Sequence, residues 1–466
     1  MERMTGPDAL MLNMECATVP MHTLKIVVLD PSTRGRHVTL PELRAAVAPY
    51  LGLVPRATQK VYAAPGCGGR PFWVHDPGFD LDRHLDQVTL ADGSRAGLDQ
   101  LCARLAERHL DRSRPLWSMT LVHGLSDGRQ AVVVRLHHAV SDGLAALNTF
   151  LAASTEERGA TAPIAPEEPA VAPAPHEVRR QLRRDLPGAL AGIPRLVRTG
   201  LATRRATVGF DGWAHVPATL GGERSSFNAR GGVARVCASG ELDLAQLKRV
   251  GRATGATVNG VLHAVIAGAM REEYAARGDS LDRPAVATYG VAADTASDRR
   301  WGNQIAPASV YLHVDIADAA ERLRATARSC LLGVELRRRR GFELTEQAFA
   351  YVPRLAPAVR QLFAPHVPKV VNHITTANVA GPRHTRWFGD VAVADWISFA
   401  VAVAPADVNL TAYSYAGRLS IGLVATPESM PDPAAFLGRL QPALDELLAV
   451  AEGAETPTPE GVASVA

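Results

Sequence analysis

Gln130-Ala131-Val132-Val133-Val134-Arg135-Leu136-His137-His138-Ala139-Val140-Ser141-Asp142-Gly143 opens as a strand and closes as a turn into a helix. The apolar run Ala131 to Leu136, rich in β-branched valine, suits a strand buried on both faces. It ends at two histidines, and a helical pattern begins near Asp142. A neutral imidazole, with an ordinary pKa near 6.5, can take a proton from an attacking hydroxyl. A nearby carboxylate such as Asp142 can fix the tautomer of that histidine or, through an ion pair, hold the turn. Gly143 permits tight backbone geometry where the helix begins. A single histidine is more often a hydrogen-bonded structural residue. Four fixed residues in seven positions, His137-His138 and Asp142-Gly143, outweigh that reading.

Working outward, Met119 to His123 is a second apolar run. It is joined to the first by Gly124-Leu125-Ser126-Asp127-Gly128, which predicts a hairpin. This link also matches G-x-S-x-G, the nucleophile elbow of serine hydrolases built on Ser126, but that elbow needs a helix to follow and a strand follows here. Upstream, Leu24 to Leu29 is β-rich, and Pro41 to Leu51 and Leu98 to His109 are helical in pattern. Downstream, Thr155 to Pro175 shifts abruptly to Ala, Pro and Glu and reads as an interdomain linker. Beyond it Val178, Leu182, Leu186, Leu190, Ile193, Val197 and Leu201 form one helical stripe among arginines, which Pro187 and Pro194 should kink or break.

The second half repeats the alternation. Val233 to Ala238 and Ser309 to Val314 read as strands, Leu244 to Ala253 and Val258 to Ala276 as helices. Asn409 to Tyr415 and Arg418 to Val424 form a hairpin, and a last helix runs from Pro433 to Val450. The expected class is α/β (α+β), two domains with mixed sheets. The expected boundaries are 1–154 for the first domain, 155–206 for linker and Arg-rich helix, 207–452 for the second domain and 453–466 for a flexible tail.

At 466 residues the chain suits two cores. A net charge of +3 is too small to imply a nucleic-acid partner. The five cysteines are scattered, without metal-ligand spacing, and read as reduced thiols in a cytoplasmic protein. The first residues lack a signal-peptide pattern, and no apolar run reaches 18 residues.

The H-H-x-x-x-D-G stretch after a strand resembles the signature of coenzyme A-dependent acyltransferases and of nonribosomal peptide condensation domains. The rest of the chain resembles, in order, the bacterial wax ester synthase/diacylglycerol acyltransferase family. Pro115-Leu116-Trp117 is similar to its P-L-W block and Asn378-Val379-Ala380-Gly381-Pro382 to its N-V-x-G-P block. Pro7-Asp8-Ala9, Pro20-Met21-His22, Phe227-Asn228, Gly302-Asn303 and the hairpin around Ala416-Gly417 fit as well. The resemblance implies two chloramphenicol-acetyltransferase-like domains. It implies direct acyl transfer from acyl-CoA to a lipid alcohol, diacylglycerol or a long-chain alcohol, with no resident cofactor and no metal. By the same resemblance His138 is the general base, His137 a packing or hydrogen-bonding neighbour, and Asp142 a structural orienter.

Two departures stand in the second half: Asn259-Gly260 where the family reads N-D, and Gly290-Val291-Ala292-Ala293-Asp294 where it carries a P-V-S-x-R-like stretch. They prompt the alternative of a carrier-dependent or non-catalytic condensation-like module. Asn259 is a candidate either for a helix cap, a place Thr257 fits equally, or for an oxyanion or channel residue; Asn378 is a candidate channel residue, or else part of a strand-ending turn before Gly381-Pro382. Arg337 to Arg340 reads as solvated helix surface, with coenzyme A phosphate contact as the sharper idea. Trp117 reads as core. The Arg-rich stripe suits peripheral attachment to a membrane or lipid droplet, or else packing on the second domain.

Overall fold

The computed structural model describes residues 1–67, 69–165, 173–218, 221–229, 231–293, 295–351 and 369–455. Residues 166–172 of the expected linker, Asp294, most of the expected tail and the side chains of Leu186 and Leu190 lie outside the described residues.

Two six-stranded sheets organise the chain. The first runs β14 (Trp387–Phe388), β15 (Val391–Phe399), β2 (His22–Asp30), β7 (Gln130–His137), β6 (Trp117–His123), β5 (Leu85–Thr89). All its pairings are antiparallel except β5 with β6. The second runs β11 (Ile305–Leu312), β10 (Ala285–Ala292), β13 (Ile374–Val379), β16 (Val408–Tyr415), β17 (Arg418–Ala425), β9 (Val236–Asp243), with β13 parallel to both neighbours. Short strands β1 (Glu2–Arg3), β4 (Phe72–His75) and β3 (Gln59–Tyr62) form a third sheet, and β8 (Gly222–Glu223) pairs with β12 (Lys369–Val370). The fold is mixed α/β, as the alternation predicts.

The apolar run of β7 is buried on both faces because helices cover both. Ala131 and Val133 pack with Leu24, Ile26 and the residues Leu98, Leu101 and Cys102 of α3 (Arg95–Glu107). Val132 packs on the other face with Val27, Leu29 and the residues Leu147 and Phe150 of α4 (Gly143–Ala153). In the second sheet, α6 (Leu244–Thr254), α7 (Val258–Arg277), α8 (Ala319–Arg340) and the final helices α10 (Pro433–Gly438) and α11 (Leu440–Glu455) share the largest core.

Sheet membership is not contiguous in sequence. The chain leaves the second sheet after β13, adds β14 and β15 to the first, and returns at β16. There β15 lies against the β16–β17 hairpin, where the Tyr415 hydroxyl donates to the Val393 carbonyl at 2.8 Å. Gly422 allows the approach: a Cβ on it would sit 2.2 Å from the Ser398 carbonyl oxygen.

Several local expectations need correction. The helix α5 (Pro175–Ala206) runs unbroken through Pro187 and Pro194. Each interior proline costs about 3 kcal/mol. Val178, buried against Ala64, Phe72 and Val74, anchors the helix before them, and beyond them Arg195 pairs with Glu343 of α9 (Glu343–Tyr351) at the surface. The expected linker is pinned where described, with Thr155 and Trp387 exchanging backbone hydrogen bonds and Ala165 bonded to Pro49 and Gly52. The strand expected at Val233 starts at Val236, and the expected last helix divides at Arg439. Arg337 is buried rather than solvated, donating to the Thr345 hydroxyl at 3.1 Å, while Arg338 to Arg340 are exposed. Trp117 is in the core, its indole N–H on the Ala57 carbonyl at 2.7 Å, and all five cysteines are free.

Candidate active site

His137 and His138 end β7, and the turn after them is clamped by a segment from the second half of the chain. Gly302 N–H donates to the Val140 carbonyl at 2.7 Å, and Asp142 N–H to the Gly302 carbonyl at 3.2 Å. This clamp brings Arg299, Asn303 and Gln304 to the motif.

The protonation of His138 follows from Asn303. The Asn303 amide nitrogen donates to the carboxylate of Asp8, in α1 (Gly6–Met14), at 2.8 Å and to the His138 carbonyl at 2.7 Å. Its oxygen is therefore the atom facing His138 Nδ1, 2.9 Å away, and Nδ1 must carry the hydrogen. Nε2 then holds the lone pair, and it has no hydrogen-bond partner among the described residues. Burial pushes the His138 pKa below its usual value, against the opposing pull of Asp142, so the ring is neutral at physiological pH. The same burial raises the pKa of Asp8, whose bonds from Asn303 pull the other way.

His137 is fully buried. Its Nδ1 accepts from Ala139 N–H at 3.0 Å, so its Nε2–H donates to Glu15 at 3.1 Å. It supports the strand end and leaves no free nitrogen for a substrate.

Asp142 commits both oxygens to structure. Oδ1 caps α4 by accepting from Ala145 N–H at 3.0 Å, while Oδ2 pairs with Arg299 at 2.7 Å and accepts from Gln304 N–H at 2.9 Å. Gly143 has an ordinary backbone, and its smallness serves a close approach instead. Tyr413 donates its hydroxyl to the Gly143 carbonyl at 3.0 Å, and a Cβ on Gly143 would lie 2.7 Å from that oxygen.

In the second half, Thr257 caps α7, which releases Asn259 from that role. Asn259 Oδ1 accepts from Asn378 Nδ2 at 3.4 Å, so the two candidate asparagines meet although 119 residues separate them. Gly260 faces α8, where a Cβ would come 3.1 Å from that of Ala327, so helix packing accounts for the glycine at this departure. Ser126 sits exposed in the β6–β7 hairpin with a strand after it, not a helix, which removes the elbow reading.

Beside the motif lies a cavity of about 510 Å³ between the first sheet and α4. Val27, Leu29, Val132, Val134, Phe150 and Trp396 line it, together with residues of α2 (Leu40–Val47), and it reaches Val140 and Ser141. The arrangement places a neutral imidazole in the stretch between Leu136 and Val140, both of which line this largely apolar cavity. Of the residues that shape it, Asp8 and Asn303 stand in the quoted sequence blocks without a role, whereas Arg299 carries no sequence signal.

Residues 4–262 match the model of the wax ester synthase/diacylglycerol acyltransferase catalytic domain, and residues 301–448 that of the family's C-terminal domain. The chain is 32% identical over 474 residues to Rv3087 of Mycobacterium tuberculosis, assigned by name as a diacylglycerol O-acyltransferase, covering 98% of this chain and 99% of that one. Rv1760 of the same organism is 28% identical, covering 96% and 90%. Among solved structures, the wax ester synthase/diacylglycerol acyltransferase of Marinobacter aquaeolei VT8 superposes with a TM-score of 0.67 at 21% identity, covering 97% and 100%. The starter condensation domain of rhizomide synthetase, solved with C8-CoA, shares the fold at TM-score 0.59 and 15% identity, covering 98% and 95%. With both family domains matched across most of its length, the chain belongs to the wax ester synthase/diacylglycerol acyltransferase family of acyltransferases.

Proposed function

We propose that this acyltransferase moves a long-chain acyl group from coenzyme A directly onto the hydroxyl of diacylglycerol or a long-chain alcohol, with His138 Nε2 as general base. The observation that carries this reading is the hydrogen bond from His138 Nδ1 to Asn303, which leaves Nε2 as the lone-pair nitrogen of a neutral ring. As the acceptor oxygen bonds to the thioester carbonyl carbon, Nε2 takes the hydroxyl proton. The C–S bond then breaks and the imidazolium returns that proton to the coenzyme A sulfur. This cycle uses a co-substrate and needs no resident cofactor or metal. The apolar cavity beside the motif supports a long acyl chain, each buried CH₂ contributing about 0.8 kcal/mol. Asn259 and Asn378 are proposed as the amides nearest the acceptor side, able to donate to the oxyanion.

The Arg-rich helix supports peripheral attachment to a lipid surface. Ile193, Val197 and Leu201 are at least half exposed on α5, and Trp213 is 50% exposed just beyond it. Among the described residues no single helix is long and apolar enough to cross a membrane.

Purified protein with palmitoyl-CoA and a panel of alcohols, followed by free thiol and by ester product, tests the reaction. His138→Ala is expected to lower transfer by roughly 10²- to 10⁴-fold in a protein that still folds cooperatively. Near-normal thiol release by that variant would remove His138 from the role of base. Ester formed only from carrier-bound acyl groups would replace coenzyme A as the donor.

A further inference from the structure

Lys25 has no part in the proposed chemistry, yet it lines the acyl cavity. It belongs to β2, whose alternate residues Lys25, Val27 and Leu29 all face that chamber. An ammonium there is costly, because burial removes it from water, and such charges are retained where they are paired. Lys25 is 4% exposed and, among the described residues, has no direct carboxylate partner. Asp142 is the nearest acidic influence on it, but that carboxylate is paired with Arg299. The remaining charged residues of the chamber wall differ in kind. Arg34 and Glu42 are part-exposed and bonded to each other at 2.8 Å, and Arg300 is half-buried.

The ammonium has three N–H donors. Among the described residues one finds an oxygen, the Ser398 hydroxyl at 2.6 Å, from the residue directly opposite on β15. The Tyr413 ring lies 5.2 Å away and offers its π face. Among the described residues at least one N–H is left without an acceptor, beside a chamber walled largely by apolar side chains. Burial lowers the Lys25 pKa to about 8, so the group stays mostly charged at neutral pH.

The position along the strand says where on a ligand the complement belongs. Lys25 pairs with Val134, three residues from the His22–His137 pair at the catalytic end. At about 3.3 Å per residue, that is roughly 10 Å along β2. An acyl chain anchored by its thioester at His138 would pass Lys25 partway down its length.

Resting on the acyl-transfer reading, we propose that Lys25 is a specificity residue for oxygenated acyl chains: the cavity takes a long-chain acyl group bearing a hydroxyl or oxo oxygen in mid-chain, which accepts a hydrogen bond from the buried ammonium. A plain alkyl chain leaves that donor unsatisfied. A correctly placed oxygen satisfies it.

The test measures binding separately from turnover. Methyl palmitate and its hydroxy isomers, substituted at successive positions from carbon 3 to carbon 16, displace a fluorescent fatty-acid methyl ester from the purified full chain. Methyl esters carry no carboxylate that would pair with Lys25 for another reason. One internal isomer is expected to bind roughly 10- to 100-fold more tightly than methyl palmitate, the range for a hydrogen bond to a charged group. In Lys25→Met the advantage disappears because methyl palmitate binds better, not because all esters bind worse. The wild-type comparison needs no variant to fold. Equal affinity across the isomers, no displacement by any ester, or the same ratio in Lys25→Met overturns the proposal. Thiol release from palmitoyl-CoA in the same preparation reports on transfer independently, so a binding preference without turnover would sink the acyl-transfer reading and leave the Lys25 site standing.

Discussion

Asn303 holds the strongest leverage over the candidate base without lining the cavity, and its removal can be worked through in numbers. Asn303→Ala deletes three side-chain hydrogen bonds: to the Asp8 carboxylate at 2.8 Å, to the His138 carbonyl at 2.7 Å and from His138 Nδ1 at 2.9 Å. The backbone N–H of residue 303 still reaches Asp8. Each orphaned buried partner costs about 1–3 kcal/mol where water does not replace the bond. The variant is therefore expected to melt at a measurably lower temperature. For catalysis only the His138 bond counts, because it selects the tautomer and holds the ring. At about 1.4 kcal/mol per decade, 1–3 kcal/mol corresponds to a fall in kcat of roughly 5- to 140-fold. KM for acyl-CoA should stay near the wild-type value.

The pH profile supplies a readout that loose packing would not imitate. The base must be neutral, so the rate is lost as pH falls through the His138 pKa. Burial holds that pKa below 6.5, which places the acid limb of kcat/KM below 6.5. The bond to Asn303 favours the imidazolium, so its loss should move the limb further to acid while the plateau drops. Adding Asn303→Ala to His138→Ala should cost no further rate, since the two act as one unit. Wild-type kcat in Asn303→Ala, an acid limb moved upward, or a further loss of that size in the double variant would each refute the coupling of Asn303 to the base.

Asp142→Ala should destabilise the fold by about 3–5 kcal/mol, read by denaturant unfolding, because it removes the buried partner of the part-buried Arg299 and a helix cap together. The value should fall toward the lower end, since Arg299 keeps the Trp301 and Gly302 carbonyls. Gly143→Ala is expected to cost about 1–3 kcal/mol by driving a methyl into the Tyr413 hydroxyl, and Tyr413→Phe about 1 kcal/mol. The double variant should recover part of the sum, and strict additivity in unfolding would contradict the contact. Burial raises the Glu15 pKa, but His137 and Arg112 outweigh that and hold it at about 2, below the ordinary 4.5. Its depressed pKa makes its stabilisation complete above pH 4.5 and lost as pH falls toward 2. The melting difference between wild type and Glu15→Gln should accordingly shrink across that window, and a difference constant from pH 7 to pH 2 would rule the pairing out.

What the sequence discloses here follows from how far apart the cooperating residues lie. The β7 run, its histidines and the helix after Asp142 are local, so hydrophobic period and turn chemistry expose them at once. The two sheets are half legible. Alternation predicts their strands, but nothing in the period of Val391 to Phe399 says that it leaves its neighbours to pair with His22–Asp30, more than 350 residues away. That exchange depends on a β15 that fits β2 on its edge and the β16–β17 hairpin on its face, a property of three segments jointly. The site shows the same division. His138 announces itself, while the residue that decides its protonation is 165 positions on, in the Gly302-Asn303 pair to which the sequence attaches no role. Asn303 is fixed in place by Asp8, 295 residues before it. A chain of hydrogen bonds from helix α1 through the second half to the end of β7 has no period and no spacing to detect. Lys25 is one of only four lysines in the chain, and its burial depends on the sheet. The availability of the Nε2 lone pair is thus a tertiary property. The strand supplies the imidazole, and the distant amide and carboxylate decide which of its nitrogens carries the lone pair.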